Sequence, residues 1–256
     1  MNWTIFSGST RNFAHCYLAR TRCCSHLAKI ATMKRSQLIE DLPRDIEQTV
    51  FAAEVSRPLR ELNMLFLEMM IESASDVSAN ARPTLVTALT HELQRLTAAA
   101  RERLASCPVA LLDLGFGEQP WSAASVSKRP YRTAAVSGEF GKIAAIRVAS
   151  ATLTLGWTLA RWRTEVACIV FGMSESAIHQ VSALGGPQSI HQWAEANSHR
   201  VRPRWEEQPR IWWKLLRIAL EGPHGRLPPL SMYVLRRQLA DLVSMEGARS
   251  AIAKHD

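Results

Sequence analysis

The sequence predicts an all-α protein, with two similar three-helix units in tandem and two further helices at the C-terminal end. Apolar residues recur at i, i+3, i+4 and i+7 along most of the chain, the period of a single buried helix face. Hydrophobic residues make up 47% of the 256 positions and charged residues 21%, enough apolar material for a real core. Gly and Pro fall mostly between the apolar runs, where they end helices. The order long helix, medium helix, short helix, extended segment then occurs twice. Such a repeat suggests duplication, although helical chains also show this order by chance.

Residues 1–32 carry arginines, no acid and no sustained stripe. They read as a dispensable disordered tail, with an organelle-type presequence as the competing reading and Met33 as a second candidate start. Next, Leu62, Leu65, Phe66, Met69 and Met70 form one face of a long helix, with Pro58 in its first turn or just ahead of it. Pro83 opens a second helix with Leu85, Leu89, Leu93 and Leu96 on one face. Thr97 suits the N-cap of a short third helix carrying Leu104 and Ala105, which Cys107-Pro108 stops. The run from Val109 to Phe116 is short, apolar and extended.

Residues 117–141 are rich in Gly, Pro, Ser and Ala and read as a linker. Beyond them, Leu155, Leu159, Trp162, Val166, Ile169 and Val170 form one stripe that Gly172 breaks. Ser174 caps the next helix, whose face is Ala177, Ile178, Val181 and Leu184. Pro187 starts a short one bearing Ile190, Trp193 and Ala194, and Asn197 ends it. After an extended basic stretch, Ile211, Trp212, Leu215, Leu216 and Ala219 mark a helix that Gly222-Pro223 ends. Met232, Leu235, Leu239, Leu242 and Val243 mark the last. The expected divisions are a tail over 1–32, units over 33–116 and 142–206 flanking the linker, and C-terminal helices over 207–256.

The net charge of +8 is unevenly placed. Residues 37–125 hold seven basic and thirteen acidic residues, whereas residues 126–256 hold eighteen basic and ten acidic. The basic half could attract the acidic half or nucleic acid. The apolar stretch Val148 to Ala160 is too short to span a bilayer, so no membrane role is expected. Five cysteines without paired CxxC spacing fit a reduced, cytoplasmic protein with no zinc site.

No residues support an enzyme. Gly115-Phe116-Gly117 lacks the third Gly and the helix of a dinucleotide site, and His91-Glu92 lacks the second His of a zinc protease. His179, His191 and His199 read as surface or capping residues rather than metal ligands. Cys107 and Cys168 read as core or cap residues. No cofactor is expected.

Glu61-Leu62-Asn63-Met64-Leu65-Phe66-Leu67 resembles the first-helix motif of the FlhD family of flagellar transcription regulators. Gly172-Met173-Ser174-Glu175 resembles that family's turn into its second helix. Ala183-Leu184, Pro187-Gln188 and Ala194-Glu195-Ala196-Asn197 resemble its later stations. The likeness covers roughly residues 57–116 and 148–206. The first half lacks the Gly turn and the Pro-Gln pair, and the second lacks the Leu-Asn start. The resemblance implies a cytoplasmic regulator of transcription, of motility or secretion genes, with another regulatory subunit as partner, DNA as a further one, and self-association.

One stretch stands out by its residues alone. Arg200, Arg202, Arg204, Arg210, Lys214 and Arg217 interleave with Trp205, Trp212 and Trp213. Arginine forks grip phosphates while indoles stack, as a nucleic-acid surface requires. The same residues suit a partner-protein surface, where Trp and Arg are enriched among the anchors. Two functions therefore stay open: an FlhD-like regulator, and an adaptor or chaperone-like module that never touches DNA.

Overall fold

Helix α1, Ala53–Ser75, buries one stripe: Leu59, Leu62, Asn63, Phe66, Leu67, Met70 and Ala74. In the computed structural model it begins ahead of the expected start, so Pro58 lies inside the helix. The ring removes one backbone donor there. Buried Val55 and Leu59 flank it one turn apart and hold the two sides to the same core. The structure describes residues 53–76, 82–117 and 140–222, with Val234, Gln238 and Asp241. All of them belong to one unit, Pro43–Leu242. The expected tail and most of the expected linker lie outside the described residues, as do the stripe residues Met232, Leu235, Leu239, Leu242 and Val243.

The expected second helix is two short ones, α2 (Thr84–Ala88) and α3 (Thr90–Gln94), joined at Leu89. Its face is as expected, since Leu85, Leu89, Leu93 and Leu96 are all buried. The break has a local cause. The hydroxyls of Thr87 and Thr90 donate to the carbonyls of Pro83 and Val86, one turn back. Such back-bonding bends helices. Helix α4, Ala98–Ala105, carries the expected cap: the Thr97 hydroxyl accepts from the Ala100 N–H at 3.2 Å.

The second group corrects the expected stripe. Residues 155–170 do not form one helix. Helix α5 runs Lys142–Trp162 and α6 runs Thr164–Phe171, with a break at Arg163. The buried face of α5 is Ala145, Val148, Ala149, Thr152, Leu153, Gly156, Leu159 and Ala160, while Trp162 is 78% exposed. Small residues let neighbours approach closely. A Cβ on Gly156 would stand 2.7 Å from the Met173 Cε. Helix α7, Glu175–Ser182, is capped by Ser174, and α8, Pro187–Asn197, has Pro in its first turn. Both match expectation. By length and composition α5 could cross a membrane, being longer than its charge-free stretch suggested, and 44% of its most apolar window is buried. That buried side packs on α7 and α8, the setting of a core helix.

Helices α1 and α5 pack on each other, and each gathers the helices that follow it. Between the groups runs the buried segment Cys107 to Phe116. Within it β1, Leu112–Asp113, pairs antiparallel with β2, Arg202–Pro203, so that Leu112 faces Pro203 and Asp113 faces Arg202. The Ala110 N–H donates to the Val170 carbonyl, the Ser174 N–H to Phe116 and the Arg204 N–H to Leu111. Phe116 meets Phe171 edge to face at 5.9 Å. Helix α9, Pro209–Glu221, closes on α4 and buries all five residues expected of it. Its last turn is held by the Arg103 Nε, which donates to the Ala219 carbonyl at 2.7 Å.

Candidate functional site

The structure divides the basic stretch into an inner and an outer part. The inner part is the seam between the strands. Arg202 is half-buried and donates through Nη2 and Nε to the Asp113 Oδ2, at 2.7 and 3.2 Å. Arg204 is only 7% exposed. Its Nη1 donates to the Val170 carbonyl at 3.1 Å and to the Gln238 Oε1 at 2.9 Å. Burial lowers its pKa to about 10, and the charges of Asp113 and Asp241 oppose that fall, so it stays a cation at neutral pH. Burial acts to raise Asp113, but Arg202 and Arg204, with hydrogen bonds from Arg202 and the Gly115 N–H, hold it below the ordinary carboxylate value. A phosphate reaching Arg204 would have to displace these partners. Arg204 is therefore a seam residue, not part of an outward phosphate-binding row.

Two indoles complete the seam. Trp205 has φ +58°, a left-handed conformation that is strained for a large side chain. Its Nε1 donates to the Asp241 Oδ2 at 2.6 Å. The Trp212 indole is fully buried and donates to the Arg204 carbonyl at 2.6 Å. Arg200 is half-buried, with its guanidinium 6.0 Å from the ring centre of Trp193.

The outer part lies on α9. Arg210, Lys214 and Arg217 are exposed, and Trp213 is 43% exposed although it belongs to a core-packing helix. With Leu220, Glu221 and Glu92 of α3 they line an open groove of about 510 Å³. Arg217 donates to the Glu221 Oε1 at 2.7 Å. Across the groove, one oxygen of Glu92 meets the His91 Nδ1 at 3.3 Å. The other is shielded from solvent and has no hydrogen-bond partner.

Sequence reasoning grouped Arg210, Lys214 and Arg217 with the seam arginines in one basic stretch, named Asn63 only within a motif, and left out Asp113, Gln238 and Glu92. Asn63 had a signal in its position, since it falls on the apolar stripe of α1. It is fully buried, its Nδ2 lies 3.2, 3.4 and 3.0 Å from the carbonyls of Ala105, Cys107 and Val109, and its Oδ1 accepts from the Leu111 N–H at 2.9 Å. Asp113 had one too, as the lone acid of an apolar run. Cys107 and Cys168 are buried, and burial raises the Cys107 thiol far above its usual value, which leaves it protonated. Among the described residues no group of three His, Cys, Asp or Glu is arranged to hold a metal ion. Comparison with protein-family models, with curated proteins and with solved structures gives no match.

Proposed function

We propose that the chain is an FlhD-like cytoplasmic regulator that acts in transcription control, of motility or secretion genes, by binding another protein subunit and not by catalysis. The observation that carries the binding part is the split of the basic stretch. Arg202 and Arg204 serve the seam, while Arg210, Lys214 and Arg217 face outward beside Trp213 and Leu220. A duplex-binding face needs a row of cations that neutralises successive phosphates. Here Glu92 and Glu221 interrupt the row, and exposed apolar surface lies among the charges. That mixture suits a protein partner better than a phosphate backbone.

The transcription part rests on the resemblance of residues 61–67 and 172–197 to the FlhD family. The two helical groups are read as copies of one unit. Buried Leu59, Leu62, Asn63, Phe66, Leu67, Met70 and Ala74 of α1 have the same spacing as buried Ala145, Val148, Ala149, Thr152, Leu153, Gly156 and Ala160 of α5. Each group ends in a two-residue strand, and the two strands pair antiparallel, as a two-fold axis between copies would require. On this reading one chain does the work of a dimer.

Crosslinking the full chain to DNA in its native cell, with sequencing of the recovered fragments, tests the reading. Enrichment upstream of a limited gene set, together with altered transcripts of those genes when the chain is deleted, is the expected result. No enrichment and unchanged transcripts would overturn it and leave an adaptor that binds protein alone.

A further inference from the structure

We infer that the α9 groove receives an acidic amphipathic helix of a partner protein, with its apolar stripe on Trp213 and Leu220 and its carboxylates on Arg210, Lys214 and Arg217. The inference deepens the protein-binding part of the proposed function and rests on it. An α-helix turns about 100° per residue, so the outward residues of α9 can be placed around its axis. Leu220 and Trp213 lie together at one edge of the exposed face. Arg217, Arg210, Glu221 and Lys214 follow in that order across it, three cations to one acid. The opposite face, from Ile211 through Leu215 and Trp212 to Leu216, is buried in the core.

The groove is thus an apolar strip with a cationic bank on α9, and Glu92 of α3 also lines it. A helix of matching length, about three to four turns along the 13 residues of α9, covers the strip with residues at i, i+3, i+4 and i+7. Glutamates beside that stripe would face the cationic bank. Nucleic acid fits less well. Its phosphates would leave the apolar Trp213–Leu220 strip uncovered.

Four labelled probes and the full chain test this by fluorescence anisotropy. The first is a synthetic helix of four turns with leucines at i, i+3, i+4 and i+7 and glutamates along one flank. In the second and third the glutamates are replaced by glutamines and by lysines. The fourth is a random-sequence duplex. The acidic helix should bind tightest, and less tightly as salt rises. Trp213→Ala should weaken it about thirtyfold or more, as loss of a central anchor does. Arg210→Glu with Lys214→Glu should reverse the preference towards the lysine helix. Thermal melting of each variant shows that it is folded, and Trp213 is exposed enough for its removal to spare the core. Equal binding of all three helices, binding of the duplex alone, no binding at all, or an unchanged affinity after Trp213→Ala would each overturn the inference. Groove binding without any transcriptional effect in the native cell would instead sink the regulatory reading and leave the groove standing.

Discussion

The two helical groups face the same structural problem and solve it with different chemistry. Each must hold a two-residue strand against the ends of its helices. In the first group a neutral amide does it: Asn63 reaches from α1 and engages carbonyls of Ala105, Cys107 and Val109 and the N–H of Leu111. In the second group a buried cation does it: Arg204 binds the Val170 carbonyl and Gln238 while its own carbonyl accepts from Trp212. The amide is satisfied inside its own group. The cation needs counter-charges, which come from Asp113 of the first group and from Asp241. The neutral clamp is thus satisfied within the first group, and the charged clamp ties the second group to Asp113 of the first and to Asp241.

Removing the neutral clamp should have the largest effect. Asn63→Ala leaves buried carbonyls and the Leu111 N–H without partners, and each orphaned group costs about 1–3 kcal/mol. The expected loss is about 4 kcal/mol, read as a fall in the urea midpoint at unchanged slope. A loss under about 1 kcal/mol would mean that water replaces the amide, and the contrast between the groups would fail.

Removing the charged clamp comes next. Arg204→Met keeps the volume but takes one of two donors from the Val170 carbonyl, which keeps the Ala110 N–H, removes the donor to the Gln238 Oε1 and takes one cation from Asp113. Arg202 remains, so the expected cost is about 3 kcal/mol, the low end for breaking a buried pair. The pH dependence should change with it. Asp113 is held below the ordinary carboxylate value when folded, so its contribution is present above that value and is lost as pH falls through the folded one. Without Arg204 the folded value rises, and acid unfolding should begin at a higher pH. An unmoved acid transition would show that Arg202 alone holds Asp113.

The parts of this contrast that could be read in the sequence were those written in large apolar side chains. The buried face of α9 was legible but for Ile218, because Ile211, Trp212, Leu215, Leu216 and Ala219 keep helical period. The face of α5 was legible only in part, because Ala145, Ala149, Thr152, Gly156 and Ala160 make up most of it beside Val148, Leu153 and Leu159, and small or polar residues give little hydrophobic signal. Of the expected stripe, Leu159, Val166, Ile169 and Val170 are buried, while Leu155 is only partly covered and Trp162 stands outside. The seam was hidden for another reason. Strict alternation along an extended stretch would put Arg200, Arg202 and Arg204 on one wet face. The strand lasts only for Arg202–Pro203, and the chain turns at Trp205, where φ is positive. Alternation fails over so short a strand, and Arg204 points inward. Helix period fixes the opposite face of α9 as well, and there Arg210, Lys214 and Arg217 stand outward, apart from the inner arginines with which the sequence grouped them.

The turns ahead of the second helices differ as well. The first group enters α2 through Pro83, with φ −51°. The second leaves α6 through Gly172, with φ +65°. Gly172→Ala should cost about 1–2 kcal/mol for the left-handed backbone alone. Its Cβ would also stand 3.1 Å from the Gln238 Nε2 and 3.4 Å from the Arg204 Nη2, so the substitution presses on the charged clamp. Combining it with Gln238→Ala should recover part of the loss in thermal melting. No recovery would confine the cost to the backbone.

The smallest effect sharpens the comparison by its sign. Glu206 lies just after the seam and is half-buried. Burial raises its pKa, Arg202 opposes the rise and Glu207 adds to it, and the net direction is upward. Asp113 is shifted the other way by the same Arg202. A folded-state value above the unfolded one means that the native chain holds this proton more tightly. The penalty is absent well below the ordinary glutamate range and grows as pH rises through the folded value, which is the reverse of Asp113. Because Glu206 keeps much of its solvent, the effect is screened. Glu206→Gln should stabilise the chain at pH 7 by at most about 0.5 kcal/mol. That gain should shrink as pH falls and vanish well below the ordinary glutamate range, where wild type carries the proton in both states, and denaturant midpoints compared across that range would show it. If Glu206→Gln instead destabilises at pH 7, the attraction of Arg202 outweighs burial, and Glu206 joins Asp113 as a second counter-charge of the seam.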